Sequence, residues 1–154
     1  MLPVFFIRFR GISKLYNSLF GPLLEQYRIT QLEADILLFL ANNPSFDTAR
    51  DIVEKRHIAK SHVSAGVESL VKRGLLERCR QGGNRKTIHL RLTAQAAPIV
   101  EAGREVQRHY GRLLFSGFSD QEQEQLFRLL ERVGENVETA LTGAGSGDSL
   151  GQNE

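Results

Sequence analysis

Apolar residues recur every three or four positions along most of this chain, and the breaks in that rhythm mark out six helices and one hairpin. In residues 3–28, Phe5, Phe9, Ile12, Tyr16, Leu19, Leu23 and Tyr27 form one helical stripe, and Phe6, Leu15, Phe20 and Leu24 a second, partial one. A helix apolar on more than one side buries more than one contact, so the segment is expected to pack against a second chain as well as its own core. Gly21-Pro22 should break or kink it.

Thr30 followed by Glu33 has the spacing of a capping box, in which each side chain satisfies the other residue's orphan backbone N–H. The run LEADILLFLANN then reads as a helix ending at Asn43-Pro44. Thr48 with Asp51 repeats that logic for a helix of about two turns, with Ala49, Ile52, Val53 and Ile58 supplying apolar contacts. A third helix starts near Lys60. Its buried stripe is Val63, Val67, Leu70 and Val71, its opposite side carries Ser61, Ala65, Glu68 and Lys72, and Gly74 caps its end.

LLERCR and TIHLRL read as two short strands around the turn-rich QGGNRK, a β-hairpin with a basic tip. A further helix opens at Leu92-Thr93, with Ile99, Val100, Ala102/Gly103, Val106, Tyr110 and Leu113/Leu114 on its apolar face. Pro98, one turn inside, should cost it a backbone bond and bend its start. Ser119 with Glu122 makes a third capping box ahead of a last helix striped by Leu126, Leu130, Val133, Val137 and Leu141. Residues 143–154 have no apolar periodicity and are expected to be a disordered tail.

Charge sharpens this division. The chain of 154 residues has a net charge of +2, which conceals a strong dipole along the sequence. Residues 1–50 carry five Lys/Arg against four Asp/Glu, residues 51–93 ten against four, and residues 94–154 five against ten. A basic middle between near-neutral and acidic flanks suits a segment that faces a polyanion, although a solvated charged face would give the same count.

Other chemistry is not visible. No GxSxG, HExxH, GxxxxGK[ST] or post-strand GxGxxG motif occurs, and no His/Cys cluster has metal-ligand spacing, so no catalytic residues, metal site or cofactor are expected. The single cysteine, Cys79, excludes an internal disulfide framework and fits a reducing, cytoplasmic setting. The apolar start MLPVFFI is followed, not preceded, by Arg8 and Arg10, unlike a signal peptide, and no window is long enough to span a bilayer.

Helix, short helix, turn, longer helix and basic hairpin, in that order, describe a winged helix-turn-helix. The fold expected is mainly α with a small β-hairpin wing, flanked by long N- and C-terminal helices. Lys60, Ser61, His62, Ser64 and Ala65 form the exposed start of the candidate recognition helix. Their small size lets the helix sit deep in a major groove, where hydroxyls, imidazole and methyl meet base edges. Lys72 is a candidate phosphate contact beside Lys60, and Thr48 at the start of the preceding helix joins the candidate DNA-binding set. Arg78, with Arg80 and Arg91, extends the basic surface along the strands, and Arg85 and Lys86 at the hairpin tip suit a narrow minor groove.

These residues carry a likeness to a known family. TARDIVEKRHIAKSHVSAGVESLVKRGLLER and NRKTIHLRLT resemble the helix-turn-helix and wing of the MarR family of bacterial transcriptional regulators, and the likeness extends over roughly residues 10–141. Arg85 matches the family's wing arginine, Asn84 stands where an Asp is usual, and Ala59 stands where a Ser N-cap is frequent. The resemblance implies a homodimer on a palindromic double-stranded DNA operator. It implies a dimerisation helix in residues 1–29, a DNA-binding domain in residues 30–93 and dimerisation helices in residues 94–142. It also implies a repressor released by a small aromatic or anionic effector, for which Phe9, Ile12, Tyr16, Phe39 and Tyr110 are candidate lining residues, although aromatic stripes at helical spacing more often serve core packing. Two other readings stay open: a winged-helix module that binds an acidic protein, and a redox-responsive regulator sensing through Cys79.

Overall fold

The computed structural model describes residues 1–80 and 86–144. The expected wing tip at Arg85 and the expected tail from residue 145 onward lie outside the described residues. The chain divides between Leu114 and Phe115 into two compact units.

The first unit begins with α1 (Leu2–Tyr27), α2 (Gln31–Asn42), α3 (Ala49–Arg56) and α4 (Lys60–Lys72). It continues through strand β1 (Leu76–Cys79), strand β2 (His89–Leu92), a 3-10 turn (Ala94–Ala96) and α5 (Ala97–Leu114). The strands pair antiparallel, Leu76 opposite Leu92 and Cys79 opposite His89. They are shorter than LLERCR and TIHLRL suggested, since Thr87 and Ile88 fall before β2.

Capping at both places where Thr precedes an acid three residues on is as expected. Glu33 N–H donates to Thr30 Oγ1 (3.2 Å) while Thr30 N–H donates to Glu33 Oε2 (2.7 Å), and Thr48 and Asp51 do the same at 3.1 and 2.9 Å. Fully buried Ile36 and Leu37 of α2, Ile52 of α3, Val63 and Leu70 of α4 and Leu76 of β1 form the centre of the core, with Phe20 of α1 reaching in. Gly66 sets how closely α4 approaches α2, because a Cβ there would stand 2.7 Å from Ile36 Cδ1. Gly74 adopts φ +70° and turns the chain from α4 into the hairpin.

Two expectations about proline are corrected. α1 runs unbroken through Pro22. The carbonyl orphaned by the missing N–H belongs to exposed Ser18, where water can satisfy it, while Phe20 and Leu23 on either side of Gly21-Pro22 are buried and hold the helix to the core. Pro98 lies in the first turn of α5 rather than one turn inside it, because the 3-10 turn intervenes. Its missing N–H is one of the helix's orphan donors, so it costs no bond.

The second unit contains α6 (Asp120–Ala144). The third capping box is formed, with Ser119 N–H donating to Glu122 Oε2 (2.8 Å) and Glu122 N–H to Ser119 Oγ (3.3 Å). Phe115 packs edge-on against Phe118 and Phe127. The helix continues through Gly143 and Ala144, two residues into the stretch expected as tail. Its stripe of Leu130, Val133, Val137 and Leu141 is 41–59% exposed.

Candidate nucleic-acid interface

α4 has no side-chain cap: its N-cap, Ala59, cannot accept from the first-turn amides. Those amides sit beside Lys60, Ser61 and His62, all exposed, with exposed Ser64 and Ala65 one turn on. The start of α4 is therefore a projecting surface of small and polar side chains, backed by the buried Val63, Val67 and Leu70. His57, at φ 50°, ends α3 in the left-handed conformation and makes the tight turn that brings α4 across it.

The hairpin abuts α4 through Arg78. Strand alternation puts Arg78 on the face shared with Leu76 and Leu90, and at the rim of that face its Nη2 donates to Glu68 Oε2 (2.9 Å). Lys72 Nζ lies 3.7 Å from Glu68 Oε1. Hydrogen bonding from Arg78 holds the Glu68 carboxyl below its ordinary range. Arg91 does not extend this surface as the sequence suggested. It stands opposite Glu77, to which its Nε donates (2.7 Å), on the other face of the hairpin. The register decides this, since one residue of offset exchanges the two faces. Lys86 is exposed.

Thr48 is half-buried, and its hydroxyl is engaged in capping, donating to Asp51 Oδ2 (2.6 Å). Its backbone forms an isolated bridge with His89. Next to it, Asp47 O accepts from Leu90 N–H (2.7 Å) and Asp47 Oδ1 lies 2.7 Å from His89 Nδ1. The loop before α3 is thereby tied to the wing, a role for Asp47 and His89 that sequence spacing gave no sign of.

A second link was equally hidden. Glu33, the buried acid of the first capping box, accepts from Ser69 Oγ of α4 (2.5 Å). Burial pushes the Glu33 carboxyl up, but the Ser69 hydroxyl, the Thr30 hydrogen bonds and Arg73 outweigh it and hold the group below its usual value. Arg73 also donates to Arg28 O and Tyr27 O (both 2.8 Å), closing the C-terminus of α1 with the end of α4. The far end of α4 is thus fixed to α1 and α2.

The candidate effector residues do not form one pocket. Tyr16 packs edge-on against Tyr110 (5.2 Å between centroids), donates to Asp35 (3.4 Å) and accepts from Gln107 (3.3 Å). Phe39 is buried beside it, and the cleft they share with Asp35 and Arg56 has a volume of ≈ 80 Å³. That is smaller than the roughly 150 Å³ that admits a benzene ring. Phe9 and Ile12 are exposed further along α1, although Ile12 O accepts from Tyr110 (3.4 Å). Cys79 is half-buried in β1, and the described residues contain no cluster of three or more metal-ligating side chains.

Residues 29–86, from the start of α2 to the hairpin, match the family model described as MarR family. The match spans the helix-turn-helix and part of the hairpin and leaves out the flanking helices. Solved structures share its fold at low identity. One is a MarR family transcriptional regulator from Listeria monocytogenes complexed with a 26mer DNA: TM-score 0.80, 17% identity, covering 99% of this chain and 98% of that one. MepR of S. aureus in a DNA-binding conformation gives TM-score 0.78 at 23% identity, covering 86% and 98%. BpsR of Bordetella bronchiseptica, whose DNA binding is regulated by 6-hydroxynicotinic acid, gives 0.64 at 19%, covering 82% and 95%. No curated protein sequence matches the chain. Among the described residues, no helix is long and apolar enough to cross a membrane.

Proposed function

We propose that this protein is a cytoplasmic, sequence-specific DNA-binding transcriptional regulator, a homodimer that represses by occupying an inverted-repeat operator. The observation that carries the reading is the projecting start of α4. Lys60, Ser61, His62, Ser64 and Ala65 stand clear of the core on a MarR-family winged helix, within the basic third of the sequence. Residues of that size allow a helix into the major groove, and base edges there distinguish all four pairs. Lys72, Arg78, Arg85 and Lys86 serve as phosphate or minor-groove contacts, and Thr48 positions the start of α3 near the backbone.

The dimer reading is supported by apolar surface a lone chain leaves uncovered. In α1, Phe5, Phe6 and Phe9 are 43–62% exposed, and α6 carries the exposed stripe described above. Contiguous apolar surface of this kind marks an interface. Residues 1–29 and 94–142 are the proposed dimerisation elements, and two-fold symmetry would set the recognition helices about 34–36 Å apart. An aromatic or anionic effector is the proposed releasing signal, held where a second chain brings further walls to the separate positions of Phe9, Ile12, Tyr16, Phe39 and Tyr110, which form no single pocket in one chain. The comparison with BpsR supports it.

Fluorescence anisotropy tests the core of the proposal, using DNA from immediately upstream of the gene and a scrambled duplex at near-physiological salt. Nanomolar binding to the native fragment, with at least a thousandfold weaker binding to the scrambled one, is the expected result. Equal, weak binding to both would refute an operator at that position.

A further inference from the structure

Glu68 is an acid in the middle of a basic face. It follows Ser61 and Ala65 along the outer side of α4, and its side chain is 47% exposed. Its two oxygens are directed at two cations from different elements: Oε2 accepts from Arg78 of β1 at 2.9 Å, and Oε1 lies 3.7 Å from Lys72 Nζ of α4. Both cations belong to the proposed phosphate-binding set. A carboxylate presents the same charge sign and the same planar pair of acceptors to a guanidinium as a phosphate does, so the two compete for one partner.

We propose that Glu68 is a built-in competitor for backbone phosphate, holding Arg78 and Lys72 in the DNA-free protein and lowering its electrostatic affinity for any duplex. The inference rests on the DNA-binding reading above. Phosphate contacts supply nearly all non-specific binding, so a competitor at this place limits time spent on non-operator DNA and leaves the base-reading residues at the start of α4 untouched. Neutralising it adds a cation to the phosphate-facing balance, which strengthens binding most at low salt and steepens the salt dependence.

The test is anisotropy of wild type and Glu68→Gln on one scrambled duplex between roughly 50 and 200 mM salt, with thermal melting to confirm equal folding. Glu68→Gln should bind about three- to tenfold tighter at the low-salt end, with the slope of log K against log salt steeper by up to about 0.9. An Arg78→Gln background should abolish most of that gain, because the cation that Glu68 withholds is then gone. A wild type that binds DNA while Glu68→Gln binds equally or more weakly overturns the inference alone. A gain that persists in full without Arg78 overturns it too, since Glu68 would then act by repelling phosphate directly. A wild type that binds no duplex at any salt overturns both the inference and the DNA-binding reading.

Discussion

The winged helix and the long terminal helices solve the same problem differently. In residues 30–93 the starts of α2 and α3 are capped, apolar side chains from α2, α3, α4 and both strands meet in one core, and among the described residues only Phe46 and Ile88 are exposed large hydrophobics. In the first half of α1 and along α6, large apolar side chains face water. The first region buries its apolar side chains within one chain, whereas the second leaves a stripe of them exposed. The contrast supports the proposal that the winged helix carries stability and the flanking helices carry assembly.

The sharpest break of that contrast is to charge the α6 stripe. Val133→Glu with Val137→Glu removes no core residue, and both positions are exposed in the single chain. Light scattering should report a monomer, and operator affinity should fall about a hundredfold or more, because binding at the second half-site is no longer intramolecular. A double variant that stays dimeric would place the interface elsewhere. The opposite result is expected from Ile36→Ala, which leaves a cavity at a fully buried position against α4. It should cost roughly 2–5 kcal/mol in chemical unfolding of the dimer, without dissociating dimers that remain folded.

Much of this division could be read in the sequence because it is local. The capping pairs Thr30/Glu33, Thr48/Asp51 and Ser119/Glu122 are three residues apart, and the stripes of α4 and α6 repeat within a turn or two. What stayed hidden is long-range or depends on register. Arg73 reaches carbonyls 45 and 46 residues away, and Ser69 reaches a carboxylate 36 residues away. Arg91 falls on the face opposite Arg78 because Arg78 pairs with Leu90, a register that neither strand's sequence sets alone. Gly21-Pro22 suggests a break or kink because helix rules weigh the lost hydrogen bond but not the burial of Phe20 and Leu23 around it, and the break does not occur.

Within the DNA-facing region, His62→Ala should sharpen the separation of base reading from phosphate binding. If the imidazole touches a base edge, operator affinity should fall by about 1–3 kcal/mol while affinity for scrambled DNA stays nearly constant. Equal losses on both duplexes would make His62 a backbone contact.

The smallest effects concern two acids of α2 that lie two positions apart and titrate in opposite directions. Glu33 is held below its ordinary value, so it stabilises the fold above the unfolded carboxyl range near pH 4, and that stabilisation fades as pH falls through its folded value. Asp35 is raised, chiefly by burial, which outweighs the hydrogen bond from Gln31, the attraction of Arg56 at 3.5 Å and the Tyr16 hydroxyl. Its contribution is therefore fully present below the unfolded range and is lost as pH rises through its folded value. Glu33→Gln should cost about 1–2 kcal/mol at pH 7, by weakening charge-assisted bonds to Ser69 and Thr30, and should lessen acid sensitivity. Asp35→Asn should leave stability at pH 7 equal or slightly higher, because the neutral amide avoids the burial penalty yet can still accept from Gln31. Urea melts of both variants from pH 4 to 7 check the signs. A marked loss for Asp35→Asn at pH 7 would mean that the ion pair with Arg56, which ties α2 to α3, outweighs the burial of the charge.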